Sequence, residues 1–372
     1  QGVPAYNSLS RFTPYVTFLN NQVSNAVLLE NLASSNLDWE TTTQTDIGLE
    51  IGFLNNRYSL ELDYYNKRTK DLLLNRPIPG TAGETRLENV GEIENKGFEF
   101  TINSLNIDKP DFTWSTNLTI SANKNKVISI GDGQEFITLD NPNGSSGPSI
   151  RIIPGYPAPA YLGATYLGTY RTTAEIDADG VVGSVLGGPR YVDLDGNGAI
   201  NQLDFIVHGD PNPDFYGGLR NTLTYKDFTL DFFFHGSYGN EILNAAYHLG
   251  YFGRDPRSNL LPIVKDRWTT SNQNSDIPRA GSSFGNYQQR SDVSYQDGSF
   301  LRLKNVTLTY DLDIPGMKRA SVYVTGNNLL LFTKFTHGDP EQSNYGDGLA
   351  QGVANGGYPY NSSFALGFNL TL

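Results

Sequence analysis

The chain has 372 residues, a formal net charge of −12 and no cysteine. The missing thiols exclude disulfide frameworks, thiolate zinc sites, iron–sulfur clusters and cysteine nucleophiles, and an acidic chain without a basic block offers nucleic acid nothing to bind. An aromatic content of 12% argues against disorder, and no apolar run reaches the roughly 18–20 residues of a membrane helix.

A membrane β-protein survives these exclusions, because its lipid face uses only every second residue. A weak strand precedes Asn20, and period-two alternation dominates from there on. In 46–53, Ile47, Leu49, Ile51 and Phe53 alternate with Asp46, Gly48, Glu50 and Gly52. In 58–65, Tyr58, Leu60, Leu62 and Tyr64 oppose Ser59, Glu61, Asp63 and Tyr65. Phe98, Phe100 and Ile102 set the apolar parity of the next strand; Phe112, Trp114, Leu118 and Ile120 set that of the one after. Further strands are predicted at 219–225, 228–235, 301–312 and 320–332. A parity slip between Leu303 and Val306 reads as a bulge near Lys304 and Asn305. The last strand, 364–372, places Phe364, Leu366, Phe368, Leu370 and Leu372 on one face. No amphipathic helix of two or more turns is predicted, so the fold class is all-β.

Link lengths sharpen this reading. Short links at Asn55-Asn56, 108–110, Lys226-Asp227 and 313–316 alternate with long ones at 67–94, 125–214, 239–298 and 333–361. A soluble sandwich has no reason to gather every long loop at one end. A transmembrane antiparallel β-barrel does, with tight periplasmic turns and long extracellular loops. The polar parity carries Glu50, Glu61, Asp63, Glu99, Asn117 and Asp231, which suits a watery lumen and not a second apolar core. The count is about ten strands of 10–13 residues.

The sharpest local motif runs from Asp193 to Asp204. Oxygen side chains fall at loop positions one, three, five, nine and twelve: Asp193, Asp195, Asn197, Asn201 and Asp204. Gly198 sits where a calcium loop turns sharply, Ala199 offers its carbonyl, and Ile200 supplies the apolar anchor. The reading is a structural Ca2+ site formed by Asp193, Asp195, Asn197, Ala199, Asn201 and Asp204. The neighbouring 175–180 reads as a solvated acidic turn.

Catalytic constellations are weak, since carboxylate pairs such as Glu92 and Glu94 are expected by chance in so acidic a chain. His208, His235, His248 and His337 have no metal-ligand spacing and no nucleophile partner; His235 falls on the polar parity as a lumen residue. The chain is therefore read as a non-enzyme. Aromatic rings crowd the long links, and Tyr247, Tyr251, Phe252, Tyr345, Tyr358 and Tyr360 are the candidate ligand or lid contacts.

An ordered series of motifs resembles the C-terminal barrel of SusC/RagA-type TonB-dependent transporters. It comprises Asn36-Leu-Asp-Trp-Glu40, Phe53-Leu-Asn-Asn-Arg57, Asp63-Tyr-Tyr-Asn-Lys67, Asn95-Lys-Gly-Phe-Glu99, Gly209-Asp-Pro-Asn-Pro-Asp-Phe215, Ser299-Phe-Leu-Arg-Leu-Lys-Asn-Val306 and Val324-Thr-Gly-Asn-Asn-Leu329. The resemblance implies that 1–372 is the C-terminal portion of a 22-stranded outer-membrane barrel, with 125–214 its long calcium-carrying extracellular loop and the plug domain absent. It further implies a Bacteroidota source, a SusD-like surface lipoprotein as partner, TonB engaged through the missing N-terminal part, and import of oligosaccharides or peptides. The alternative is a secreted calcium-stabilised β-protein that binds carbohydrate, an adhesin or binding module.

Overall fold

The computed structural model describes residues 9–19, 21–31, 33–34, 37–77, 85–139, 150–252, 259–281, 290–342 and 351–371. The chain opens with a hairpin of β1 (Arg11–Leu19) and β2 (Gln22–Asn31). Four long strands follow: β3 (Thr41–Phe53), β4 (Tyr58–Pro77), β5 (Thr85–Lys109) and β6 (Phe112–Ile130). A long excursion holds β7 (Ile137–Thr138), β8 (Ile150–Ile152), β9 (Ala160–Gly163), β10 (Tyr166–Thr169), α1 (Thr173–Asp179), β11 (Pro189–Tyr191) and β12 (Ile206–Gly209). The chain then returns through β13 (Phe215–Tyr225) and β14 (Phe228–Tyr238). A second excursion carries β15 (Glu241–Asn244), α2 (Ala245–Phe252) and β16 (Tyr295–Asp297). Last come β17 (Phe300–Leu312), β18 (Arg319–Thr333), the two-residue β19 (Val353–Ala354) and β20 (Ser363–Thr371).

Nine of these strands form one antiparallel sheet in the order β20-β18-β17-β14-β13-β6-β5-β4-β3. The register explains why: it lines apolar residues up with apolar residues across the whole wall. Ile51 faces Leu60, then Ile102, Leu118, Leu219, Phe234, Leu303 and Leu330 in successive strands. A one-residue slip anywhere would turn an entire strand inside out. The polar parity pairs equally well, with Asp63 opposite Glu99 and Glu99 opposite Ser121. Hydrogen bonds between side chains tie this inner face together. Asn117 Nδ2 donates to Asn103 at 2.7 Å, and Asn305 Nδ2 donates to Asn327 at 2.9 Å.

The apolar face stays uncovered by protein: Ile47 is 66% exposed, Leu366 65% and Phe368 67%. Soluble monomers rarely expose contiguous apolar patches beyond a few hundred Å². A wall with this face needs lipid against it.

The expected bulge is present. Register shifts between Phe233 and Phe234 in the β14–β17 pair and between Leu303 and Asn305 in the β17–β18 pair, leaving Lys304 as the inserted residue. Three predicted features change. The wall strands run longer than expected, and much of the predicted link 67–94 is strand, since β4 continues to Pro77 and β5 starts at Thr85. There one face meets the loop layer, with Leu74 packed on Val127, Ile130, Ile137 and Ile152, and charge pairs such as Arg68–Glu92 (2.5 Å) and Lys96–Glu94 (3.2 Å) interrupt the alternation that marks a strand in sequence. The weak strand before Asn20 is one arm of the β1–β2 hairpin, whose second arm hides because Asn25 breaks its apolar parity. The acidic turn at 175–180 is most of helix α1 with its C-cap: Thr172 and Glu175 form a capping box at the start, and Gly180 closes it at φ +66°.

Beyond the wall, the long links build their own packed layer. Ile150, Tyr161, Leu243 and Val353 form one buried cluster although they come from three different links. Strand β15 joins β16 antiparallel and β19 parallel, so the second and third excursions share a sheet.

Candidate functional site

The predicted metal loop follows β11 and ends in a 3-10 turn at Gln202–Asp204, and its backbone is shaped by its own side chains. Asp193 accepts from the Gly196 and Gly198 amides at 2.9 and 2.8 Å. These amides hold its carboxyl below the usual carboxylate range. Asp195 accepts from Asn197 N at 3.1 Å and Asn197 Oδ1 accepts from Ala199 N at 2.8 Å, so each turn of the loop is pinned two residues on. Gly196 and Gly198 adopt φ +69° and +77°, where a side chain would be strained. Asp204 is fully buried and receives the amides of Leu194 and Asn201 at 2.8 and 2.7 Å, which draws the two ends of the loop together. Asn201 caps the same turn by accepting from Leu203 N, and its Nδ2 donates to the Ala199 carbonyl at 3.0 Å.

Below the loop, Ile200 is 6% exposed and packs with Ala164, Val181 and Tyr191, the anchoring role assigned to it. The result brings oxygens of Asp193, Asp195 and Asp204 within 4.8 Å of one another. Three carboxylates, two amide side chains and a carbonyl are hard oxygen donors, the chemistry calcium selects. The residues therefore fit such an ion.

The aromatic candidates separate into two groups. Tyr251 and Phe252 are 8% and 5% exposed, packed with Ile277 at the end of α2. Phe252 meets Tyr166 edge-on at 5.8 Å, and the Tyr251 hydroxyl donates to the Asp276 carbonyl at 3.2 Å. Their ring faces are spent on loop packing. Tyr247 stacks on Tyr251 at 5.5 Å and leans on His337 at 5.4 Å, half-buried at the margin of the same cluster. Tyr358 is 96% exposed. Tyr360 lies over Lys304 at 4.8 Å and Arg302 at 5.5 Å. Tyr345 lies outside the described residues, as does the closing Leu372.

Beneath Tyr360 is a charge cluster that sequence reasoning missed. Arg302, on the inner parity of β17, is buried and donates to Asp339 at 2.6 Å and approaches Glu341 at 2.5 Å. Lys304 and His235 approach the same Glu341 at 3.7 and 3.4 Å. The cluster clamps the last long link onto the lumen wall. Arg302 and Lys304 stand in a legible strand, but nothing local pairs them with acids more than 30 residues away.

A family model described as "TonB dependent receptor-like, beta-barrel" matches residues 3–329. The chain belongs to this family. TonB-dependent receptor P26 of Formosa agariphila is 39% identical over all of this chain and 38% of its own length. TonB-dependent receptor SusC of Bacteroides thetaiotaomicron is 27% identical over 91% of this chain and 32% of its own. The solved structure of the RagAB peptide transporter superimposes on 99% of this chain with a TM-score of 0.77 at 23% identity, and the match covers 39% of that chain. The chain thus spans about two fifths of the relatives it matches, and its sheet is part of the wall of a TonB-dependent outer-membrane barrel. No described helix is long and apolar enough to cross a membrane; the strands do so.

Proposed function

We propose that this chain is wall and extracellular loop layer of a SusC/RagA-type importer that takes up oligosaccharides or peptides through the outer membrane. Energy enters through TonB acting on parts of the protein outside this chain, and a SusD-like surface lipoprotein closes over the loop layer. The observation that carries the reading is the nine-stranded meander with its apolar face outward and its long links folded together at one end. The family match favours it over a secreted carbohydrate-binding adhesin, and the relatives carry the names of receptors, not of enzymes.

Of the aromatic candidates, Tyr358, Tyr360 and Tyr247 keep surface for a ligand or lid, whereas Tyr251 and Phe252 serve the loop core. Alanine at Tyr358, Tyr360 and Tyr247 in the full-length transporter tests the assignment. Lost uptake with normal surface abundance and intact loops supports contact with ligand or lid; unchanged uptake removes these residues from the site.

The same reading includes one structural Ca2+ held by Asp193, Asp195, Asn197, the Ala199 carbonyl, Asn201 and Asp204. Three converging carboxylates repel one another, and among the described residues no cation is paired with them. A divalent ion would relieve that repulsion and order the loop; no chemistry on substrate is assigned to it. Chelation should increase protease cleavage between 192 and 205 while leaving the barrel heat-modifiable, and Asp193→Asn with Asp204→Asn should mimic chelation. Identical cleavage with and without millimolar calcium would remove the ion from the proposal.

A further inference from the structure

The outward face of the wall has a gap in it. Gly217 in β13 and Gly236 in β14 face each other across the strand pair, so two adjacent outward positions carry no side chain. Their other neighbours are Ile120 and Leu301, both on the lipid parity. Together with Leu219 and Phe234 these residues bound a groove of about 800 Å³, within the roughly 300–1,000 Å³ of small-molecule clefts.

Phe215 and Tyr238 stack at 5.2 Å along its rim, with Phe332 on the opposite side. These rings stand where the strands leave for the long links, the height at which aromatic girdles meet the headgroups. At this mouth Lys334 and Asp297 sit 3.9 Å apart; the lysine side chain is 86% exposed. An apolar floor thus ends in an accessible ammonium beside a carboxylate.

We propose that the groove holds one acyl chain of a phosphate-bearing lipid of the outer leaflet, with Lys334 on its phosphate. Two features of the groove favour a lipid. The groove opens onto the membrane-facing side, so hydrocarbon and not water is what fills it, and a flexible chain follows a glycine floor without shape matching. The loosely held Lys334 is free to trade Asp297 for a phosphate at headgroup height. This rests on the outer-membrane location and not on the substrate or partner reading.

The test uses full-length transporter, delipidated in detergent and titrated with diphosphoryl lipid A, with bound lipid counted by native mass spectrometry. The wild type should retain one lipid at saturation. Leu219→Trp fills the groove from its side and should lower retention at least tenfold, whereas Leu366→Trp, outward on β20 away from the groove, should not. Lys334→Gln should weaken binding about fivefold and abolish preference over the dephosphorylated lipid. Heat-modifiable migration verifies that each barrel has assembled. Should Leu219→Trp fail to assemble, Lys334→Gln decides the matter alone, because its side chain lies beyond the last residue of β18. Retention unaffected by these changes overturns the proposal. So does a loss of barrel dimers in place of lipid, which would make a second copy the occupant.

Discussion

Arg302 stands between two carboxylates with almost no access to water. Taking one member from a buried ion cluster leaves the others charged and unpaired, at a cost of about 3–5 kcal/mol. Arg302→Met should therefore leave Asp339 without its cation and Glu341 with only Lys304 and His235, and loosen the segment after β18 from the lumen wall. Limited proteolysis of the full-length barrel should show new cleavage at 334–342, with the wall still intact. Asp179 sets a different residue-scale expectation. It accepts from Arg190 Nε at 2.7 Å, and that guanidinium holds its carboxyl below the ordinary range. A depressed folded pKa contributes stability above the unfolded value of about 3.9, and this is lost as pH falls through the folded one. Protease resistance of the α1 segment should drop below about pH 4 in the wild type. In Asp179→Asn it should be lower at neutral pH and should respond less to acid.

At the scale of the strand, the parity of β20 makes a discriminating test. Leu366 pairs with Val324 on the lipid face, whereas Asn369 pairs with Ser321 on the inner face. An arginine facing lipid at mid-membrane costs roughly 2–4 kcal/mol and little in a lumen. Leu366→Arg should sharply reduce heat-modifiable, membrane-inserted barrel, and Asn369→Arg should not. Gly367 is a poor inward control, because the Tyr323 ring occupies the space any side chain would need. Equal assembly of the two variants would contradict the assignment of faces.

At the scale of the molecule, the long links act as one layer. Tyr161 is fully buried, stacks on Tyr295 at 5.3 Å and donates to the carbonyls of Gln351 and Gly352. One ring therefore touches all three excursions. Tyr161→Ala removes an aromatic core side chain, a change worth about 3–5 kcal/mol. Hydrogen exchange should rise together in 150–163, 241–244 and 351–354, and not in the first segment alone. Exchange confined to the mutated link would mean that the links fold independently.

The sequence by itself determined the wall. Period-two alternation depends only on a strand having two faces in two solvents, so Ile47 to Phe53 and Phe364 to Leu370 announce their orientation with no knowledge of neighbours. The loop at 193–204 was legible for a related reason: its donors, turn glycine and anchor are all local, and Ile200 and Gly198 stand as the spacing requires. Whether an ion sits among those donors is a matter of binding and not of pattern. The tertiary structure decided everything that joins distant segments. Where β4 and β5 run on past the predicted strands, one face meets the loop cluster of Val127, Ile130, Ile137 and Ile152 and the alternation fades, so their added length came only from pairing. The burial of Tyr251 and Phe252, the clamp of Arg302 on Asp339 and Glu341, and the cluster of Ile150, Tyr161, Leu243 and Val353 unite residues whose local sequence is indifferent to their partners. Periodicity encodes which solvent a residue faces; which residues share a buried space is set by how the chain closes on itself.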